Sequence, residues 1–465
     1  MLRFFDRREF LRVGLATTGI VTNLRGTNAV EGNRRVPRGF GRAKSVILVY
    51  ASGGQSQFET WDPKPDAPLD VRGAFSPIST PLPGVQLCEH LPQLAKLADR
   101  YTIVRSMSHE DLDHGSATYL ALTGRYHSRR SSNPPPSPDD FPTYGAVLKR
   151  MRVTNRFAYE AAHLNAPALV PFLVSPGQDG GFLGREYEPL IVGDPRESDA
   201  VLPGLAPQFG LPVVRLERRK MLKEILDSYR DGLTQDQKLV DMNHLYQQAL
   251  TMLSSSRYRD AFDLQQEPLA LRERYGLHRS GQACLLARRL VEAGVPFVNV
   301  IWNHSNRGQD ADPNDPDVYG WDTHNDIFDA MKLHLLPRFD ESFATLLEDL
   351  DERGLLDETL VVCMGEFGRA PRVKLEPNFA GSLPGRKHWA SVYSIVMAGA
   401  GVSRGAVLGA SDRLGAEPLT KRYGPWDVAA TMFSALGIDH SSHYTDAFDR
   451  PIAATIGQPM EELYA

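Results

Sequence analysis

Cysteine is scarce in this chain of 465 residues, which carries only Cys88, Cys284 and Cys363. None of the three stands in a CxxC pair, so the sequence excludes a disulfide framework and a zinc knuckle. At most one disulfide bridge could form. Cys363 lies inside an apolar run and is interpreted as a small buried side chain rather than a nucleophile.

Basic charge and long apolar runs are also missing. The net charge of -5 gives no basic face that could follow a phosphate backbone, so no nucleic acid is expected as a partner. Beyond the N-terminus no segment reaches the length of uninterrupted apolar residues that a membrane helix needs, so we expect no transmembrane domain beyond the signal. With 42% hydrophobic and 23% charged residues, the chain is that of a globular protein with a large core.

The N-terminus has the sequence DRREFLRVGLATTGIV, in which Arg7 and Arg8 precede Phe10 and Leu11. The weakly apolar stretch that follows is too short to span a bilayer. This is the twin-arginine export pattern. We interpret residues 1–30 as a signal for the twin-arginine translocase and expect a periplasmic or extracellular protein. No clear A-x-A cleavage site follows, so removal of the signal and its retention as an anchor both stay open.

Apolar segments without polar alternation predict strands that are covered on both faces. The predicted strands are 45–51, 101–105, 296–302, 359–365 and 393–399. Helical periodicity between them predicts helices over 216–230, 236–254, 280–293, 326–353 and 427–436. Strands separated by helices predict an α/β fold with a mostly parallel central sheet between helical layers. We expect one such domain over residues 42–465.

Polar side chains gather near the ends of these strands, where α/β folds place their chemistry. They are Ser52 after the first strand, His109 and His114 after the second, Asp322 and His324 in GWDTHND, Glu366 and Arg369 in VVCMGEFGRAP, and Arg386 and His388 in GRKHW. Imidazoles and carboxylates in these positions indicate divalent metal binding. Arginines beside them suit an oxyanion such as phosphate or sulfate. An extended segment points Asp322 and His324 to the same side, which favours a ligand pair.

Several of these groups have a structural alternative. Glu366 and Arg369 also fit a surface turn closed by a salt bridge. The segment 109–114 also fits a helix start that is stabilised by acidic residues. His388 also fits a core histidine that is bonded to the backbone. The Asp-rich loop 303–319 lacks the glycine and the glutamate of an EF-hand and is interpreted as a solvated loop.

Five segments together resemble one protein family. They are SGGQSQFETWDPKP, HGSATYLALTGR, GWDTH, GEFGRAP and GRKHW. On them the chain resembles the bacterial domain of unknown function family 1501, exported sulfatase-like proteins of the alkaline phosphatase superfamily, over nearly all of the sequence after the signal. Two longer stretches, LDETLVVCMGEFG and WDVAATMFSALGID, also resemble parts of ordinary sulfatases. The resemblance implies an alkaline phosphatase/sulfatase-like fold.

The chain departs from the sulfatase pattern at three places. The cysteine that sulfatases convert to their catalytic aldehyde corresponds by position to His114. The paired aspartates expected after the first strand fall at Ser52 and Gly53. The Asp-His pair of the late strand becomes Glu366-Phe367. At least two familiar metal ligands and the nucleophile are therefore missing.

The resemblance and the strand-end residues together give an expected site. The expected metal ligands are Asp322, His324, Glu366, His388 and His109. The expected catalytic residues are His114, Ser52, Arg369 and Arg125, with the two arginines holding the ester oxyanion and Arg386 a weaker choice. The expected cofactor is a divalent metal, namely zinc, manganese or calcium.

The expected function is that of an exported metal-dependent hydrolase acting on phosphate or sulfate esters, with an anionic ester or a sulfated or phosphorylated glycan as substrate. Without a certain nucleophile, attack by metal-activated water is the simpler mechanism. Ser52, Ser116 or Thr118 could still act covalently. Two alternatives stay open. One is a degenerate, non-catalytic sulfatase-like protein that binds an anionic glycan or an envelope partner, and the other is a structural envelope protein that keeps only the fold.

The predicted export signal can be tested by mutation. Replacing Arg7 and Arg8 together with Lys should keep the protein in the cytoplasm, because the translocase reads the arginine pair itself. Cell fractionation and immunoblotting of the two forms measure this. Unchanged export of the double variant would rule out the twin-arginine route.

Overall fold

The computed structural model describes residues 36–151, 160–197, 260–308 and 317–464, apart from residues 171, 318 and 447. The compact unit of the chain begins at Arg38. The predicted export signal and the predicted helices 216–230 and 236–254 lie outside the described residues. Within the described part of the chain, no helix combines the length and the apolar character that crossing a membrane requires.

An eight-stranded sheet lies at the centre. Its strands in chain order are β1 (Ser45–Tyr50), β2 (Thr102–Met107), β3 (Ala161–Leu164), β4 (Leu190–Val192), β5 (Phe297–Ile301), β6 (Thr359–Met364), β7 (Tyr393–Ala398) and β8 (Ala406–Leu408). In space they lie in the order β8-β2-β7-β6-β1-β5-β3-β4. All pairings are parallel except those of β7 with β6 and with β2. The five predicted strands and the mostly parallel sheet are confirmed.

Helices cover both faces of the sheet. Among the described residues, the helices of eight or more residues are α1 (His114–Thr123), α2 (Tyr144–Met151), α3 (Arg279–Glu292), α4 (Leu336–Glu352) and α5 (Pro425–Ala435). The helices α3 and α4 pack with Ile47 and Val49 of β1 in one core. The helices α1, α2 and α5 pack with Val46 and Leu48 in the other. Because β1 is buried on both sides, its sequence SVILVY has no polar alternation.

Shorter elements complete the described chain. Further short α-helices are Leu69–Arg72, Pro92–Lys96, Leu269–Arg274 and Ile327–Ala330. The two-stranded sheets pair Pro77–Ser79 with Gln86–Cys88, Leu169–Val170 with Leu173–Val174, Gly368–Arg369 with His388–Trp389, and His443–Thr445 with Pro451–Ala453. Single 3-10 turns are Ala98–Arg100, Gly181–Leu183, Arg185–Tyr187, Leu264–Gln266, Leu356–Glu358 and Glu461–Leu463.

The predicted helix 326–353 is present but interrupted. It runs as Ile327–Ala330, a π-helical turn over Met331–Leu335, and α4. Pro337 lies in the first turn of α4. Proline has no N–H and its ring clashes with the carbonyl four residues earlier, so regular α-helical spacing cannot pass through it and the wider turn precedes it.

The direction of β7 decides which side chains meet. Because β7 runs against β6 and β2, it begins at the edge where β1, β2, β5 and β6 end. The residues just before β7 therefore share an edge with the residues just after those four strands. This edge collects the loops that hold the histidines and carboxylates singled out in the sequence.

One buried histidine lies in the sheet away from this edge. His163 on β3 is fully buried, and neither of its ring nitrogens has a hydrogen-bond partner within the described structure. Its neighbour across the strand pair, Asn299 on β5, is likewise buried without a side-chain partner. Burial lowers the pKa of His163 to about 3.

His163 should make the protein less stable in acid. The unfolded chain binds a proton at this residue below about pH 6.5, whereas the folded chain does so only near pH 3, so stability falls as the pH is lowered through that window. The variant His163→Leu should lose stability less steeply, by about 1.4 kcal/mol per pH unit between pH 6 and 4. Urea unfolding across this range measures the slope, with His443→Leu at an exposed position as the control. Parallel slopes for His163→Leu and the parent would contradict the assignment.

Candidate metal centre

Four side chains from three loops meet at the edge where β7 begins. Each of them offers one donor atom, and these atoms all lie within 4.8 Å of one another. The four are His114 at the start of α1, Asp322 and His324 in the loop after β5, and His388 just before β7. We call this set the histidine cluster. The His324 and His388 rings, which the sequence predicts to share a site, have centroids 4.5 Å apart.

The cluster converges on one oxygen atom of Asp322. Its Oδ1 lies 3.1 Å from Nε2 of His114, 3.1 Å from Nε2 of His324 and 3.3 Å from Nε2 of His388. The two nitrogens of His324 and His388 lie 2.9 Å apart. Asp322 and His388 are each 17% exposed, so solvent reaches the cluster from one side.

Hydrogen bonds behind two of the imidazoles fix which nitrogen faces the cluster. Nδ1 of His114 lies 2.6 Å from Oε1 of Glu366, and Nδ1 of His388 lies 2.6 Å from the carbonyl oxygen of Leu112. Both oxygens only accept hydrogen bonds, so each Nδ1 carries the proton and donates it. The Nε2 atoms of His114 and His388 thereby face the cluster, as metal-binding histidines require.

Glu366 is held in a position behind the cluster. Its carboxylate is fully buried and accepts hydrogen bonds from the Gly53 N–H at 2.9 Å, the Tyr50 hydroxyl at 3.0 Å and His114. The Tyr50 hydroxyl in turn lies 2.8 Å from Oγ1 of Thr118. Burial would raise the pKa of Glu366, but the bond and the charge of His114 outweigh it and lower that pKa. Glu366 therefore orients His114 and lies outside the cluster.

Arg369 balances the charge of Asp322. The guanidinium is fully buried, and its Nη2 lies 2.8 Å from Oδ1 of Asp322. The same group donates to the carbonyl oxygens of Gly53, Gly54 and Arg386. Burial would raise the pKa of Asp322, but His114 and Arg369 hold it well below its usual range. With its donors used in this way, Arg369 is not placed to bind an ester oxyanion.

The charges also act on the histidines. Burial opposes protonation of His114, but Asp322 and Glu366 on its two sides raise its pKa to about 9. Burial and the nearby His114 lower the pKa of His388 to about 3. Burial likewise lowers the pKa of His324. A positive charge is therefore favoured between His114 and Asp322. Without a metal ion that charge is a second proton on His114, which a bound ion would displace from Nε2, while the other two imidazoles stay neutral.

Close packing brings the loops together. Gly53 has φ of 114°, and a Cβ there would lie 2.4 Å from the backbone nitrogen of Asp322. Only glycine allows the loop after β1 to approach the Asp322 segment so closely. Phe367 is fully buried, and its ring centroid lies 5.0 Å from that of His114 and 4.7 Å from that of His388. An apolar ring thus fills the position that faces both imidazoles.

Two predicted site residues lie near the cluster without joining it. His109 is buried, and its Nε2 donates to the carbonyl oxygen of Glu366 while its Nδ1 accepts from the N–H of Asp111. Both nitrogens are used, so His109 supports the loop of Glu366. Ser52 is fully buried, and its hydroxyl has no hydrogen-bond partner among the described residues. It lacks the adjacent base that would activate a serine nucleophile.

The other predicted groups have structural partners. Arg125 follows the C-terminal end of α1, roughly 15 Å along the helix from His114, and donates to the carbonyl oxygen of Ala453. Arg386 is fully buried and pairs with Glu59 at 2.7 Å. Neither arginine is therefore placed to hold an oxyanion. Of the hydroxyls that could act covalently, Ser116 donates to Asp111, and Thr118 bonds Tyr50.

The donor set fits a transition metal of the zinc type. Bonds of about 2.0–2.1 Å to an ion at the centre of a tetrahedron place neighbouring donor atoms about 3.3 Å apart. Four of the six donor–donor distances, 2.9–3.3 Å, are close to that edge, and all six lie within 4.8 Å. Calcium prefers six to eight oxygen ligands, which three imidazoles do not supply. The cluster could therefore hold one divalent ion through three nitrogens and one oxygen.

Comparison with known proteins gives the family. The model of the family described as "Protein of unknown function (DUF1501)" matches residues 43–464. The chain belongs to this family. The predicted family is confirmed, and the histidine cluster, Glu366 and Arg369 all lie within the matched part of this DUF1501 protein. No curated protein matches the chain in sequence.

Three solved structures illustrate what this DUF1501 protein is similar to. One is a protein in the alkaline phosphatase superfamily from Vibrio parahaemolyticus, with 12% identity, a TM-score of 0.43, and coverage of 99% of this chain and 80% of that one. A sulfatase from Pseudoalteromonas sp. has 16% identity, a TM-score of 0.38, and coverage of 93% and 72%. A phosphonate monoester hydrolase from Silicibacter pomeroyi has 15% identity, a TM-score of 0.37, and coverage of 90% and 75%. These similarities are too distant to assign chemistry to the cluster, which has to be inferred from its own residues.

The bond between Glu366 and His114 generates a prediction about metal affinity. The variant Glu366→Gln should bind Zn²⁺ about 10- to 100-fold more weakly, because the charged acceptor that orients His114 is lost. Competition with a chromophoric chelator measures the affinity. The control is Asp340→Asn, which alters a buried carboxylate that accepts from the N–H groups of Gln93 and Leu94. Equal affinities for Glu366→Gln and the parent would contradict the supporting role.

Proposed function

We propose that this protein is an exported metal-dependent hydrolase that acts on phosphate or sulfate esters at the histidine cluster. The observation that carries the proposal is the convergence of three imidazole nitrogens on the oxygen Oδ1 of Asp322 at the solvent-exposed edge of the sheet. The sulfatase-like segments of the sequence support the ester class, and the arginine pair near the N-terminus supports export.

A bound divalent ion would polarise the ester and lower the pKa of a bound water. The chain's own residues would hold and orient it. His114, Asp322, His324 and His388 supply the donors, while Glu366 and the Leu112 carbonyl keep two imidazoles in the tautomer that binds metal. Zinc or manganese suits these donors better than calcium does.

The charges of the site suit an anionic ester. Arg369 neutralises Asp322, so a divalent ion with only Glu366 nearby would leave the centre positively charged. The positive centre would attract the negative group of the ester. The metal ion would then hold the oxyanion in place of the arginines that the sequence predicts for this role. Sulfated or phosphorylated glycans fall within this class of substrate.

A second function is favoured by one observation. Ser52, Ser116 and Thr118 are all buried, and within the described residues none of these hydroxyls is hydrogen-bonded to a histidine: Ser116 donates to the Asp111 carboxylate, Thr118 bonds the Tyr50 hydroxyl and Ser52 has no partner. A protein that binds metal and an anionic glycan or envelope partner without cleaving an ester would look the same. Metal binding without hydrolysis of any ester would identify that protein.

The test removes one donor. The variant His324→Ala should lose bound metal and all hydrolysis of aryl phosphates and aryl sulfates, while the sheet stays folded. Metal analysis by mass spectrometry, initial rates with nitrophenyl esters and circular dichroism measure the three properties. The control is His443→Ala, which removes an exposed histidine outside the cluster and should keep metal and rate. Full activity of His324→Ala would refute the proposed centre.

A further inference from the structure

The loop between β6 and β7 presents an exposed aromatic ring beside the histidine cluster. Phe379 is 44% exposed, although its ring stacks on His324 with centroids 3.7 Å apart and an angle of 5° between the planes. One face of the phenyl ring is thus covered by a residue of the cluster, and part of the remaining side chain faces solvent.

The position of this ring is fixed by the residue that follows His324. The side-chain nitrogen Nδ2 of Asn325 donates to the carbonyl oxygens of Glu376, Phe379 and Ala380 at 2.9–3.2 Å. Its side-chain oxygen accepts from the Glu376 N–H at 2.8 Å. Phe379 is therefore tied to the segment that carries His324, and the ring and the imidazole keep one geometry.

A second anchor fastens the far end of the same loop. The carboxylate of Asp326 accepts from the N–H groups of Ser382 and Leu383 at 2.6–3.1 Å. Two consecutive residues after His324 thus hold the loop over 376–383. The side chains of Asn325 and Asp326 thus bond backbone groups at both ends of this loop segment. These hydrogen bonds hold the exposed Phe379 ring in place.

A second residue in contact with the cluster also has an exposed apolar side chain. Leu112 is 47% exposed, and its carbonyl oxygen is the acceptor for Nδ1 of His388. Phe379 lies next to His324, and Leu112 next to His388. Two residues that contact imidazoles of the cluster thus carry exposed apolar side chains, whereas a site for a small inorganic anion needs none.

We propose that Phe379 forms a stacking subsite for a flat ring of the substrate, held next to the metal centre. The subsite rests on the proposed function, and it restricts the substrate to esters that carry a ring with an apolar face. An aryl group and the face of a sugar ring both have this property. Phe379 binds the ring by stacking and burial, and the metal centre binds the anionic group.

Binding of unreactive phosphonates to the zinc-loaded protein tests the subsite without turnover. Phenylphosphonate should bind more tightly than methylphosphonate, and Phe379→Ala should weaken the phenyl compound about 3- to 10-fold while changing the methyl compound less than about twofold. Isothermal titration calorimetry measures both. Leu383→Ala, in the same loop and 51% exposed, is the control that should bind both compounds as the parent does. Glucose 6-phosphonate in place of the phenyl compound tells whether a sugar ring uses the same surface.

The outcomes separate the subsite from the centre. Equal affinity of the parent for phenyl- and methylphosphonate would overturn the subsite. An equal loss for both compounds in Phe379→Ala, together with weaker zinc binding, would show that Phe379 only supports His324 and would also overturn it. Failure of the parent to bind zinc at all would overturn the proposed function, and the subsite with it.

Discussion

A single carboxylate oxygen organises the edge of the sheet. Oδ1 of Asp322 is approached by three imidazole nitrogens and by the guanidinium of Arg369. Groups that can all be positive would repel one another if they gathered around an oxygen without a negative charge. Desolvating such a set is expensive unless the charges are matched. The buried Arg369 and the ionised Asp322 supply that match, so the loops after β2 and β5 and the loop between β6 and β7 can close around one point.

The topology makes this convergence possible. A sheet with all strands parallel would place the residues before β7 at the opposite edge, far from the ends of β1 and β6. Because β7 is antiparallel to β6, the segment that contains His388 begins where His114 and Asp322 already lie. Gly53 then allows the backbone after β1 to touch that of Asp322. The four donor residues can therefore meet because β7 is antiparallel and because residue 53 is glycine.

The sequence predicts the sheet well because fully apolar runs such as SVILVY have few other structures open to them. It also predicts that Asp322, His324 and His388 meet, but only together with the resemblance to the sulfatase-like fold, since His388 precedes β7 and reaches this edge because β7 is antiparallel. It does not distinguish His114 from His109, because both lie in one loop and the choice depends on which ring the start of α1 turns inward. The sequence also does not show that Arg125 lies away from the cluster, where the length of α1 separates it from His114. No spacing in the chain reveals that Tyr50 and Gly53 hold the carboxylate of Glu366 behind His114.

The turn GEFGR after β6 shows how a loop can build a site without supplying a ligand. Glu366 carries the negative charge behind His114, Phe367 packs against His114 and His388, and Arg369 carries the positive charge behind Asp322. Each of the three side chains restrains a different part of the cluster, and all three are fully buried. A carboxylate and a guanidinium so close in sequence would pair with each other in an exposed turn. Here each is directed to a different member of the cluster, so the charge of the centre is set by buried groups while Asp322 and His388 remain partly exposed to solvent.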